Sequence, residues 1–182
     1  MPPDLWAGET VAILAPKMTQ AVADSVQQYR RIVVTDAYLL APDADMLFAH
    51  DLSWWQREVR EFAGLKVSGQ QGDIDALYLR MPDEIITLAP SHVLQVRNSG
   101  LMSIRIAAMA GASKILLCGF EPELEPEKYP GLVKGLADLI AELRAKGVVI
   151  ERVMAYVRGK NVINSMRDGY RCSVIKELSD DR

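Results

Sequence analysis

The chain has 182 residues, enough to enclose a sizeable core in one domain. Hydrophobic residues make up 49% and charged residues 25%, ordinary globular usage that argues against wholesale disorder. A formal net charge of −3 argues against a sequence-independent DNA or RNA binder, which needs a strong basic excess.

The opening MPPDLWAGET has no basic region followed by an apolar stretch, so no signal peptide is expected. TVAIL (10–14) reads as a buried strand, and TQAVADSVQQY (19–29) as a helix with Thr19 as N-cap. RIVVT (31–35) and DMLFA (45–49) read as the second and third strands. SWWQREVREF (53–62) is helix-like with Ser53 as cap, and GLKVSG (64–69) is a short strand between glycines. Residues 69–92 are rich in Gly, Asp and Pro and read as loop carrying the short strands LYLR and EIITL. A helix over 100–110 follows Asn-Ser-Gly, and the strand KILLCGF comes next. Then come an acidic, proline-rich loop, EPELEPEKYPG, the helix LVKGLADLIAELRAKG with Gly147 at its C-cap, and the strand VVIERV. Beyond Tyr156 the pattern weakens, and the terminal LSDDR is expected to fray.

Strands that are apolar nearly throughout, alternating with amphipathic helices, predict a single α/β domain whose parallel sheet is covered on both faces. No apolar run approaches the ~20 residues needed to cross a bilayer. Cys118 and Cys172 are too few for a disulfide framework or a zinc site, and Cys118 within KILLCGF reads as a buried thiol. These features fit a soluble chain in a reducing, cytoplasmic compartment.

In doubly wound sheets ligands gather beyond the carboxyl ends of the strands, so the residues following each strand carry the functional reading. Asn98, Ser99 and Gly100 open a helix whose free N–H groups and positive dipole end suit an anion. The same triplet also serves as a plain N-cap. His50 is the default acid/base candidate because imidazole titrates near neutrality, and Asp51 beside it is either a second base or a cap. Trp54 and Trp55 suit core packing, with an aromatic wall for a base or sugar as the alternative. His92 reads as a structural histidine in an apolar stretch. Among the glutamates of the acidic loop, Glu121 lies nearest a strand end, where a carboxylate can bond a ribose hydroxyl or a metal. No Walker A, G-x-S-x-G or two-histidine metal spacing is present.

The segments TDAYLLAPDADMLFAHDLSWW (35–55), FAGLKV (62–67) and NSGLMSIRIAAMAGASKILLCGFE (98–121) together resemble a family of phage and prophage proteins. That family is related to the domain-of-unknown-function 115 proteins, the archaeal pterin pyrophosphokinase-like group and, more distantly, the family-42 bacterial sialyltransferases. The resemblance spans roughly residues 5–150. It implies a Rossmann-like three-layer sandwich over 1–155, with a C-terminal, partly flexible extension over 156–182. It also implies a nucleotide or nucleotide sugar at the strand ends. By that resemblance Asn98, Ser99 and Gly100 face the phosphates, and Thr35 with Asp36 borders the base. Gly119 belongs to the late strand end, and Glu121 contacts the ribose. Asp51 matches the aspartate before the paired tryptophans, and His50 or Asp51 is the candidate catalytic base. Three departures stand out: A-P-K-M replaces a small-residue first loop, the late loop has no histidine, and Glu121 replaces an aspartate.

The resemblance therefore implies a phage-derived protein of the glycosyltransferase type with an altered site, acting in the host cytoplasm. A non-catalytic binding or assembly module on the same scaffold is the alternative, contacting a virion component or a host defence protein. A third version, pyrophosphoryl transfer, needs Mg²⁺ held by Asp36, Asp51 or Glu121. Chains of this type often form homo-oligomers, although no interface signal is visible.

Overall fold

β-Branched and aliphatic runs place strands where the sequence predicts them. The computed structural model describes residues 4–57, 62–73, 75–79, 98–120, 132–155 and 172–175. Among these, eight strands form one sheet: β1 (Thr10–Leu14), β2 (Arg30–Val34), β3 (Met46–Ala49), β4 (Leu65–Ser68), β5 (Leu77–Tyr78), β6 (Lys114–Cys118), β7 (Val149–Ala155) and β8 (Cys172–Ile175). Their order is β5-β4-β3-β2-β1-β6-β7-β8, and every pair is parallel. The helices are α1 (Gln20–Ser25), α2 (Leu52–Trp55), α3 (Ser99–Met109) and α4 (Leu132–Ala145), with a 3-10 turn at Thr35–Leu39.

The two-residue period of a strand divides the core in two. Val11, Ile13, Ile32, Phe48, Ile115 and Leu117 face one side, where they pack with Leu101 and Ile104 of α3 and Leu136 and Leu139 of α4. Ala12, Leu14, Val33, Leu47 and Leu116 face the other, against Val22, Tyr38, Trp54 and Trp55. Burial on both faces is what a fully parallel sheet requires. The result is a Rossmann-like three-layer α/β sandwich. Arg105 of α3 also pairs with Glu142 of α4 at 2.9 Å, and Lys146 reaches the same carboxylate at 2.8 Å. Hydrogen bonds from Lys146 and Arg105 hold the Glu142 carboxyl below its usual range. Among the described residues no helix is long and apolar enough to cross a membrane.

Several boundaries differ from expectation for local reasons. Thr19 caps α1 as predicted, but the helix stops at Ser25 rather than running to 29. There the Ser25 hydroxyl donates to Val22 O at 2.6 Å and Gln28 Nε2 donates to Ser25 O, so side chains engage carbonyls near the helix end. α2 begins at Leu52 with Asp51, not Ser53, in the cap position. The Leu52 N–H is instead held by Gln70 Oε1 at 3.0 Å. The strand β8 falls within the stretch expected to be an extension, and it pairs with β7 from Arg152↔Cys172 to Ala155↔Ile175. The expected strand EIITL and residue His92 lie outside the described residues.

Candidate functional site at the carboxyl rim of the sheet

Strands β1 to β5 step outward in one direction and β6 to β8 in the other, so the order reverses between β1 and β6. Open α/β sheets leave a crevice beyond the carboxyl ends at such a reversal. Here the chain itself packs into it. The Ala15 N–H donates to Cys118 O at 2.8 Å, and the Met18 N–H donates to Ala15 O at 3.1 Å. This tight turn lies directly on Gly119, whose φ is +74° and whose missing side chain leaves room for Ala15 O and the Met18 N–H. Met18 is buried in the core on the α1 side.

Two strands away, the rim brings several predicted residues together. The His50 backbone N–H, just past β3, donates to Ser99 Oγ at 2.9 Å. This bond joins the end of β3 to the start of α3 and sets the candidate base beside the candidate phosphate-facing turn. His50 is only 6% exposed. Its ring lies against Gly69 at the end of β4, where an added Cβ would collide with Nδ1 and would also press on the Met102 methyl. Asp51 is exposed, and its carboxylate makes no cap bond to α2.

Asn98 acts as the N-cap of α3. Its Oδ1 accepts from the N–H groups of Gly100 (2.9 Å) and Leu101 (3.2 Å). Two of the donors that a phosphate would use are therefore already bonded. Gly100 serves packing: a Cβ there would meet the Phe120 ring at 2.9 Å. That pairing of the Asn-Ser-Gly turn with the residue after Gly119 is long-range, and no local signal announces it.

Asp36 is exposed, but its Oδ1 accepts from Trp54 Nε1 at 2.9 Å. Trp54 packs edge-on against Tyr38 (6.1 Å between ring centroids) and against Trp55 (5.0 Å). Trp55 Nε1 donates to Ala49 O. Both tryptophans are buried, so the paired indoles fasten α2 to the sheet rather than form an open wall. Thr35, which follows β2 and opens the 3-10 turn, has φ +48°. A β-branched residue in the left-handed region is strained, and such strain gathers at functional positions. Relieving it with Thr35→Gly is expected to raise stability by about 1 kcal/mol, read as a shift in urea midpoint. A loss of stability would instead mean that the threonine side chain supports the turn.

Glu121 lies outside the described residues. Among the described residues no three His, Cys, Asp or Glu side chains gather closely enough to hold a metal ion. Cys118 is fully buried at the end of β6, and burial pushes its thiol up to about 12, away from nucleophilic chemistry. The sequence gives no sign of the roles of Gly69, Gln70 and Phe120, because each acts through a partner distant in the chain.

Sheet order and rim together define the class as an all-parallel, Rossmann-like α/β protein. No family model matches the chain, and neither a curated protein nor a solved structure matches it.

Proposed function

We propose that the chain binds a nucleotide or nucleotide sugar on the carboxyl rim of its sheet, as a phage-derived protein of the glycosyltransferase type. The observation that carries this reading is the His50–Ser99 bond, which ties the backbone of the candidate base to the hydroxyl of the candidate phosphate-facing turn. Ser99 Oγ accepts the His50 N–H, and a hydroxyl that accepts in this way keeps a proton to donate to a ligand oxygen. In the active version, His50 or exposed Asp51 takes the proton of an acceptor hydroxyl. The acceptor oxygen bonds to the sugar carbon as the bond from that carbon to the nucleotide phosphate breaks. Ser99 and the α3 terminus stabilise the departing phosphate.

A second reading, a binding or assembly module without chemistry, is favoured by the Asn98 cap, which engages two N–H groups at the same turn. Calorimetry with CMP, UMP, GMP, AMP and their sugar conjugates separates the two. The first reading expects measurable binding, weakened roughly tenfold or more in Ser99→Ala by loss of a hydrogen bond to a charged group. It also expects Asn98→Ala to lower stability by about 1 kcal/mol while tightening nucleotide binding through the released N–H groups. Absence of heat with every nucleotide at millimolar concentration removes the first reading and leaves the second.

A further inference from the structure

At the opposite end of the sheet, the amino ends of β1, β2 and β3 border a cleft of about 480 Å³. That volume falls in the range of small-molecule sites. Its charged groups are already matched. The Arg30 guanidinium donates from Nε to Glu9 Oε2 and from Nη1 to Asp45 Oδ1, both at 3.0 Å. Asp45 Oδ2 accepts the Arg31 N–H at 2.8 Å, and the Arg31 guanidinium is held by the two carboxylate oxygens of Asp43 at 3.1 and 2.9 Å. With the cations paired in this way, net charge gives a ligand little to recognise.

Hydrogen-bonding capacity does remain. Gln27 Nε2 is turned to Asp24 Oδ1 and Gln28 Nε2 to Ser25 O, which leaves the two amide oxygens as acceptors. The hydroxyls of Tyr29 and Thr10 each add a donor and an acceptor, and the Nη2 edge of Arg30 adds donors. Tyr29 is 36% exposed and lines the cleft, which sets an aromatic side chain beside these groups. Interspersed donors and acceptors, paired charges and one aromatic face match a ligand with many hydroxyls and an apolar C–H face.

We propose that this cleft, separate from the rim, binds a neutral polyhydroxylated ligand of the saccharide class through Gln27, Gln28, Tyr29 and Arg30. It does not depend on the rim reading. Saturation-transfer NMR with lactose and with maltose tests it on the whole chain, with amide shifts locating the contact. Transfer to the sugar ring protons is expected, with shifts at Thr10, Gln28 and Arg30. Tyr29→Ala, at a partly exposed position, is expected to weaken binding roughly three- to tenfold, while Tyr29→Phe keeps most of it. The proposal is overturned by no transfer to either sugar, by transfer undiminished in Tyr29→Ala, or by shifts confined to His50 and Ser99. A response to spermidine in place of the sugars also overturns it, since that would mark a cation site.

Discussion

Gly119→Ala is expected to destabilise the protein by about 3 kcal/mol, combining left-handed backbone strain with overpacking. Glycine is required there twice over. Its φ is +74°, and an added Cβ would approach Ala15 O to 2.9 Å and the Lys17 carbonyl carbon to 3.1 Å. Both neighbours are backbone, so no flexible side chain can move aside. The turn after β1 is itself tied to β6 through the Ala15 N–H and Cys118 O. Urea unfolding should show a lower midpoint with an unchanged slope. A near-wild-type midpoint would mean that the 15–18 turn yields, and that the β1–β6 crevice is less firmly filled than its geometry indicates.

The second large effect concerns alkaline pH. Burial pushes the Cys118 thiol from 9.0 up to about 12, because a thiolate in the apolar end of β6 would be poorly solvated. With the folded value raised, the stability it contributes is fully present below the unfolded value. That contribution is lost as pH rises through the window from about 9 to about 12. The unfolded chain releases its proton first. At about 1.4 kcal/mol per pH unit, the full loss across that window is on the order of 4 kcal/mol. Comparing wild type with Cys118→Ala between pH 8 and 11 removes the contribution of lysines and tyrosines common to both. The wild-type curve should fall more steeply, and parallel curves would sink the prediction. Native Cys118 should also resist thiol reagents until the chain unfolds.

Most of the sheet is legible in the sequence because its strands are apolar on both faces. TVAIL, RIVV, MLFA and KILLC stand out as continuous runs bounded by polar or turn residues. The strand β8 is not legible. CSVI is short, and it is a strand because β7 offers it an edge. Helix ends are less readable for a related reason. Ser25 and Gln28 engage carbonyls near the end of α1, and Gln70, from beyond β4, captures the first N–H of α2. Sequence spacing ranks neither competitor.

The candidate site divides in the same way. Asn98 as an N-cap is a local property, and the sequence supplies it as one of two readings; the hydrogen bonds to Gly100 and Leu101 establish the cap. The proximity of His50 and Ser99 is a matter of topology, since α3 starts beside the end of β3, far along the chain from it. Gly100 is explained by Phe120 and Gly119 by the Ala15–Met18 turn, both contacts between distant segments. Asp36 looks like a free carboxylate until the fold brings the Trp54 indole to it. The left-handed backbone of Thr35 has no signature in its residue type.

The parallel pairing of Thr10 with Lys114 has a consequence for how the chain matures. During synthesis β1 leaves the ribosome well before its second neighbour β6, which is made roughly a hundred residues later. Until then one edge of a strongly apolar central strand stays open. So high a contact order slows folding and prolongs exposure of an edge that can pair with other chains. Nascent chains halted before β6 should therefore engage chaperones or aggregate, and chains released beyond β7 should close the sheet.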